Sequence, residues 1–216
     1  RMHQCKDLNV TMVNARNPNS LASYDIAIVT VVDDAIGQVS RQLQTPLVVH
    51  TSGTTAMNAL ENTNRKGVFY PLQSFSKDKE VDFQKVPFCL EAEQASDSRL
   101  LEKLVRCLGS KYYHISSVQR NYLHIAAVFA NNFTNHMYQM AADICQQQGL
   151  PFEILLPLIA ETAGKIQSLS PKQAQTGPAT RNDQKTIKNH LTLLKDTQRE
   201  MYQRLTESIQ KHGKKL

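Results

Sequence analysis

The sequence predicts a parallel α/β sheet followed by an all-α region, and three observations carry that prediction. Asp25 precedes Ile26-Ala27-Ile28-Val29-Thr30-Val31-Val32, an unbroken, β-branched-rich run of the kind buried on both faces of a parallel sheet. Pro46-Leu47-Val48-Val49-His50-Thr51 is a second such run, closed by Ser52-Gly53. From Ser116 onward the strand signals stop and apolar residues recur at helical spacing. A sharp boundary near residue 115 therefore divides the chain into residues 1–115 and 116–216.

The remaining elements follow in order. Asp33-Asp34 end the first strand, and residues 35–43 form a short amphipathic helix. Val68-Phe69-Tyr70 and Phe88-Cys89-Leu90 are short strands, residues 98–108 are helical up to Gly109, and residues 111–115 form the last strand. Strands alternating with helices imply βαβ units with helices on the faces of the sheet. In the second half, Ser116 or Ser117 caps a long helix that Gly149 and Pro151 stop. Helical signals over 151–169, a turn-rich stretch over 170–178, and a helix from about Asp183 to the tail, broken near Asp196, complete the chain.

The long helix holds the best functional clue. Residues 123–133 lack Lys, Arg, Asp and Glu, yet carry His124, Asn131 and Asn132. At ~100° per residue, Val118, Tyr122, Ile125, Phe129, Phe133, Met140 and Ile144 share one stripe, with Arg120, His124, Asn131 and Asn135 roughly opposite. The expectation is that solvent does not cover the middle of this helix. A buried imidazole or carboxamide without partners costs about 1–3 kcal/mol, so the polar stripe is either a satisfied structural network or one wall of a binding cleft. Seven residues separate His124 from Asn131, about 10 Å along the axis, enough to bracket a small substrate. Histidine can act as acid or base near neutrality, and asparagine can orient a carbonyl or hydroxyl.

The chain has 216 residues, 41% hydrophobic and 20% charged, which suits a globular protein with a sizeable core. No apolar run reaches the ~20 residues needed to span a bilayer, and the opening residues do not form a signal peptide. Cys5, Cys89, Cys107 and Cys145 are scattered, with no CxxC pair. Cys107 and Cys145 lie in helical patterns where buried thiols are common, so a reducing, cytoplasmic setting is expected and no metal site is. The net charge is +6, but the basic residues are dispersed and not interleaved with aromatics. The densest basic run, Lys211 to Lys215, is a solvated tail. Neither nucleic acid nor membrane is an expected partner; a basic surface equally suits an anionic cofactor or substrate.

Four loops stand out. Asp33-Asp34 and His50-Thr51-Ser52-Gly53 sit at the carboxyl ends of strands, where open α/β sheets bind ligands. The same residues also serve as a helix cap and a turn. Gln73, in the loop after Val68-Phe69-Tyr70, offers an amide to a ligand, or the loop only packs its aromatics. Gly177-Pro178 turns the chain ahead of Thr180, Arg181 and Asp183, so that Arg181 either grips a carboxylate or phosphate or pairs with Asp183 at the surface. Nothing resembling GxGxxG precedes Asp25, and residues 1–20 hold no glycine. The sequence domain is therefore expected to be N-terminally incomplete, without its first strand and Gly-rich turn. No GxSxG elbow, Walker loop, HExxH or EF-hand is present, so hydrolysis and phosphotransfer have no residue-level support.

The strings IVTVVDDAI, VVHTSG, FYPLQSF, NYLHIAAVFANNF and TGPATRNDQKTIKNHL resemble a bacterial family labelled DUF2520. That family joins a Rossmann-like domain to a helical domain of the 6-phosphogluconate-dehydrogenase C-terminal type. The resemblance spans nearly the whole chain. It implies a homodimer, joined through the helical domain and related to NAD(P)- or F420-dependent oxidoreductases and to pyrroline-carboxylate and ketopantoate reductases. By that resemblance, Val32, Asp33, His50, Ser52 and Gly53 face the nicotinamide of NADP or NAD. His124, Asn131, Thr176, Arg181 and Asp183 line the substrate side of a cleft between the domains. Relatives commonly place a lysine or other acid on the long helix, where this chain has His124. The expected function is hydride transfer to or from a small anionic substrate; a non-catalytic, nucleotide-binding or regulatory dimer on the same scaffold is the alternative.

Overall fold

The computed structural model describes residues 8–14, 21–61 and 64–213. Cys5, Lys214 and Lys215 lie outside them. The chain forms two compact units, one up to Asn131 and one from Asn132.

The first unit is built on five strands, β1 (Ile26–Val29), β2 (Leu47–His50), β3 (Arg65–Pro71), β4 (Phe88–Ala92) and β5 (Tyr112–His114), adjacent in chain order. The β1–β2, β2–β3 and β4–β5 pairs are parallel; β3–β4 is antiparallel. The sheet is thus mostly parallel, with one reversal. Connectivity explains it: β3 and β4 are joined by a loop with only a 3-10 turn, Phe83–Lys85, whereas a helix carries the chain from β4 to β5. A parallel return requires such a crossover. Helix α1 (Ile36–Ser40) follows a 3-10 turn at Asp33–Ala35, and α2 (Ala95–Cys107) begins three residues before the expected Ser98. Buried Asp97 in its first turn accepts both bonds from Arg65 Nε, at 3.0 and 2.9 Å. Gly109, at φ +70°, ends it where only glycine is unstrained.

Residues paired in register share a face of the sheet. Leu47, Val49, Phe69, Phe88 and Leu90 point to one side and pack against Leu101 and Val105 of α2. Gly67 lies on that side by its pairing with Val49, and a Cβ there would come within 2.8 Å of the Glu91 carbonyl. On the opposite side, Ala27, Val29 and Val48 pack with Ile36, Leu43 and Leu60. Further along that same side the registers Val29–His50, His50–Val68, Val68–Glu91 and Tyr70–Cys89 bring His50, Tyr70 and Glu91 together. The first face is therefore mostly apolar, with Arg65 and His114 at its ends, and the other turns polar from β2 to β4.

Helix α3 (Ser117–Ala127) starts at a capping box in which Ser116 and Gln119 satisfy each other's backbone. The long helix does not run on uniformly. A π turn at Val128–Phe133 joins α3 to α4 (Thr134–Gln147), and Gly149 at φ +66° ends it. The second unit continues through α5 (Leu156–Lys165), α6 (Pro171–Ala174), α7 (Gln184–Leu193) and α8 (Asp196–Gly213). The break before α8 falls at Asp196, whose φ is +45°. His190 Nδ1 and the Tyr202 hydroxyl, 2.9 Å apart, tie α7 to α8.

Two expectations are corrected. The apolar stripe of the long helix is exposed, with Val118 at 70% and Tyr122 at 71%, whereas Arg120 of the polar stripe is 1% exposed. The reason is that α3 meets the polar part of the sheet face, so polar partners select the polar side of the helix. Residues 129–133 are also exposed, so solvent does reach the middle of the helix. Cys89 and Cys145 are free thiols, but Cys107 is disulfide-bonded rather than reduced. No described helix is long and apolar enough to cross a membrane.

Candidate active site

The carboxyl ends of β1, β2 and β3 lie side by side, and the chain leaves each through a polar loop. Thr54 Oγ1 donates to Asp33 Oδ2 at 2.7 Å, joining the loops after β1 and β2. Burial works against the charge on Asp33, but hydroxyl donors led by Thr54, with Ser52 and Thr55, outweigh it and hold the carboxyl below the usual carboxylate range. Ser52 Oγ accepts the Thr54 and Thr55 N–H groups at 3.2 and 2.9 Å, which folds residues 52–55 into a tight turn. Val32, just beyond β1, is 76% exposed.

His50 is fully buried, and its Nδ1 accepts the Ser52 N–H at 3.1 Å. Its proton is therefore on Nε2, which has no hydrogen-bond partner. The pKa is pushed down to about 4, first by burial and then by the Arg120 charge; the Ala56 backbone, Asp33 and Glu91 offset only part of this. His50 is neutral at pH 7.

Behind the loop lies a buried ion pair. Arg120 Nη1 donates to Glu91 Oε2 at 2.6 Å, and Nη2 donates to the Thr55 carbonyl at 2.5 Å. The Ser117 hydroxyl donates to Glu91 at 2.7 Å and accepts the Met57 N–H at 3.0 Å. The first turn of α3 is thus bonded to β4 and to both ends of the 55–57 segment.

One turn after Arg120, His124 reaches the same edge. Its Nδ1 is 3.5 Å from the Tyr70 hydroxyl of β3. Gly53 lies directly against both: a Cβ there would be 2.6 Å from His124 Nδ1 and 2.9 Å from Tyr70 Cζ. At distances this short a side chain fits only if the two rings shift, so glycine is favoured here by close approach and not by its φ. Burial, with the Cys89 thiol second, pushes the Tyr70 hydroxyl above its ordinary pKa.

The structure thus brings Val32, Asp33, His50, Ser52, Gly53 and His124 to one region of the first unit. Gln73 is exposed and its Oε1 accepts the neighbouring Ser74 N–H at 2.8 Å. Asn131 is exposed within the π turn, whose i→i+5 pattern departs from the uniform spacing that put it on the face of His124. In the second unit Thr176 and Arg181 are exposed, and Asp183 caps α7 by accepting the Thr186 N–H at 3.0 Å. That N–H, followed by the Thr186 hydroxyl, lowers the Asp183 pKa. Tyr70 and Glu91 were not singled out as site residues from sequence. The period-2 count from His50 through its paired strands carries the signal for both, but only once the register is known.

A mostly parallel sheet with its polar site at the strands' carboxyl ends, followed by a helical region, defines the Rossmann-like sheet-plus-helical class. The chain belongs to the family described as a domain of unknown function, DUF2520, whose family model matches residues 86–209. A solved structure from Bacteroides fragilis bearing the name "putative NADP oxidoreductase" is 41% identical, with 90% of this chain and 80% of that one covered and a TM-score of 0.79. Protein TM1727 of Thermotoga maritima is 22% identical over 86% of this chain and 77% of its own, with a TM-score of 0.71. The fold is also that of a 1-pyrroline-5-carboxylate reductase from Streptococcus pyogenes, at 11% identity, TM-score 0.54, and coverage of 89% and 76%. No curated protein matches the chain.

Proposed function

We propose that this protein is an NAD(P)-dependent oxidoreductase acting on a small, anionic substrate, and that it works as a homodimer. The observation that carries the reading is the meeting of His124, Tyr70 and Gly53 at the carboxyl edge of the sheet. That edge is where open α/β sheets bind their ligands, and the name borne by the Bacteroides fragilis relative supports the same chemistry.

The residues fit the nicotinamide end of such a cofactor. Val32 offers an exposed apolar surface for a flat ring, Gly53 leaves its backbone uncovered, and His50 holds a buried Nε2 proton without an acceptor. Asp33 and Ser52 complete the polar rim. A bound nicotinamide supplies or accepts the hydride. The chain's own task is the proton: His124 gives one to the substrate atom that gains electron density on reduction, or takes it back on oxidation. Arg181, an exposed guanidinium, binds the substrate's anionic group, with Thr176 five residues before it. Asn131 orients the reacting group. The homodimer reading rests on Val118, Tyr122, Phe129 and Phe133, each at least half exposed on one helix.

Thermal melting with NADPH and with NADH tests the proposal. A ligand at about a hundred times its Kd stabilises by about 2.7 kcal/mol, roughly a 5–10 °C rise for a chain of this size. No rise with either nucleotide refutes it.

A further inference from the structure

We propose that Tyr70 is a positioning residue for His124: across Gly53 its hydroxyl donates to Nδ1 and so keeps the proton of the neutral imidazole on Nε2. Three observations on separate elements converge on this. The Tyr70 hydroxyl on β3 lies 3.5 Å from Nδ1 on α3. Gly53, in the loop after β2, sits within Cβ distance of Nδ1 at 2.6 Å and of the hydroxyl at 3.0 Å, so it is the missing side chain at Gly53 that lets the two rings meet. Among the described residues the hydroxyl makes no other hydrogen bond.

The third point sets the direction of the bond. If Nδ1 carried the proton and donated to tyrosine, the half-buried O–H would be left without an acceptor, at a cost of about 1–3 kcal/mol. If tyrosine donates, its proton and the Nδ1 lone pair are both satisfied. The elevated pKa of Tyr70 keeps that proton in place across the neutral range. The 3.5 Å separation is at the long end for such a bond.

The consequence for chemistry, which rests on the oxidoreductase reading, is that the Nε2 proton is the one His124 offers to a substrate. The tautomer itself does not rest on that reading. His50 shows the same logic one strand away, its Nδ1 occupied by the Ser52 N–H. Two histidines at one sheet edge thus have their tautomers set by protein donors.

Long-range proton–nitrogen correlation NMR on the full chain with nitrogen-15 histidine tests this without cofactor. The His124 signals are assigned by their loss in His124→Gln. The wild type is expected to show Nε2 protonated and Nδ1 bare. In Tyr70→Phe the ratio of Nε2–H to Nδ1–H forms should fall about two- to tenfold, the weight of one hydrogen bond. Gly53→Ala, which pushes the rings apart, should do the same. A protonated Nδ1 in the wild type overturns the proposal, and so does an unchanged ratio in a Tyr70→Phe protein that melts like the wild type. If Tyr70→Phe does not fold, the wild-type reading decides alone. Absence of a melting shift with NADPH would refute the oxidoreductase reading while leaving this result standing.

Discussion

The two units hide their apolar side chains to very different degrees. In the first, Leu47, Val48, Val49, Leu60, Val86, Leu101 and Val105 are completely inaccessible, arranged as clusters on both faces of the sheet. In the second, the buried hydrophobic residues among those described are Ala179 and Ile187, while Ile154, Leu158 and Leu193 are exposed by 66%, 62% and 72%. Ser170 caps α6 and Asp183 caps α7, yet these apolar side chains of the second unit stay exposed. A sheet closes its own core once helices cover its faces; a set of short helices does so only when each finds a partner for its stripe. The difference therefore is that the first unit buries its own apolar core, whereas the second leaves many of its apolar side chains exposed.

The comparison can be broken most severely at the buried ion pair. Arg120→Ala strands Glu91 and leaves the Thr55 carbonyl unbonded, and the loss of one member of such a pair costs about 3–5 kcal/mol. Urea unfolding should show it, and a loss below about 1 kcal/mol would mean that the network is dispensable.

A pair of leucines sharpens the contrast. Leu101→Ala opens a cavity in the first unit and should cost about 2–5 kcal/mol. Leu158→Ala, on an exposed helix, should change monomer stability by less than about 0.5 kcal/mol. If Leu158→Ala is costly only at protein concentrations where the chain self-associates, by sedimentation, then that surface is covered in a homodimer. Equal costs in the monomer would erase the distinction between the units.

A pH-dependent effect concerns His50. Its folded pKa of about 4 lies below the unfolded value of about 6.5, so the unfolded state binds its proton first. The stabilisation is complete above about pH 6.5 and is lost as pH falls toward 4, amounting to at most about 3 kcal/mol. His50→Asn should flatten that part of the stability–pH curve. An identical curve in wild type and variant would show that His50 titrates as though exposed.

Much of the scaffold was legible from local pattern. The β-branched runs gave β1 and β2, Ser116 marked the start of the long helix, and glycines at 109 and 149 marked stops that the structure makes with positive φ. The site was legible only in part. His50, Ser52, Gly53 and His124 were singled out from position and residue type, but Tyr70 joins them through a register set by pairing to a strand distant in sequence. The antiparallel β3–β4 pair and the π turn at Val128–Phe133 were not legible, since neither leaves a local signature in residue type.

The sequence by itself determined which segments are strands and which are helices, and it sorted the long helix into a polar and an apolar stripe, because backbone preference and side-chain period are local properties. Which stripe is buried was decided only in three dimensions. The first turns of α3 lie on the one part of the sheet face where Glu91, the Thr55 carbonyl and Tyr70 wait unsatisfied. There an arginine and a histidine complete hydrogen bonds that no apolar side chain can supply, so the polar side went in and the apolar side was left for solvent or a partner.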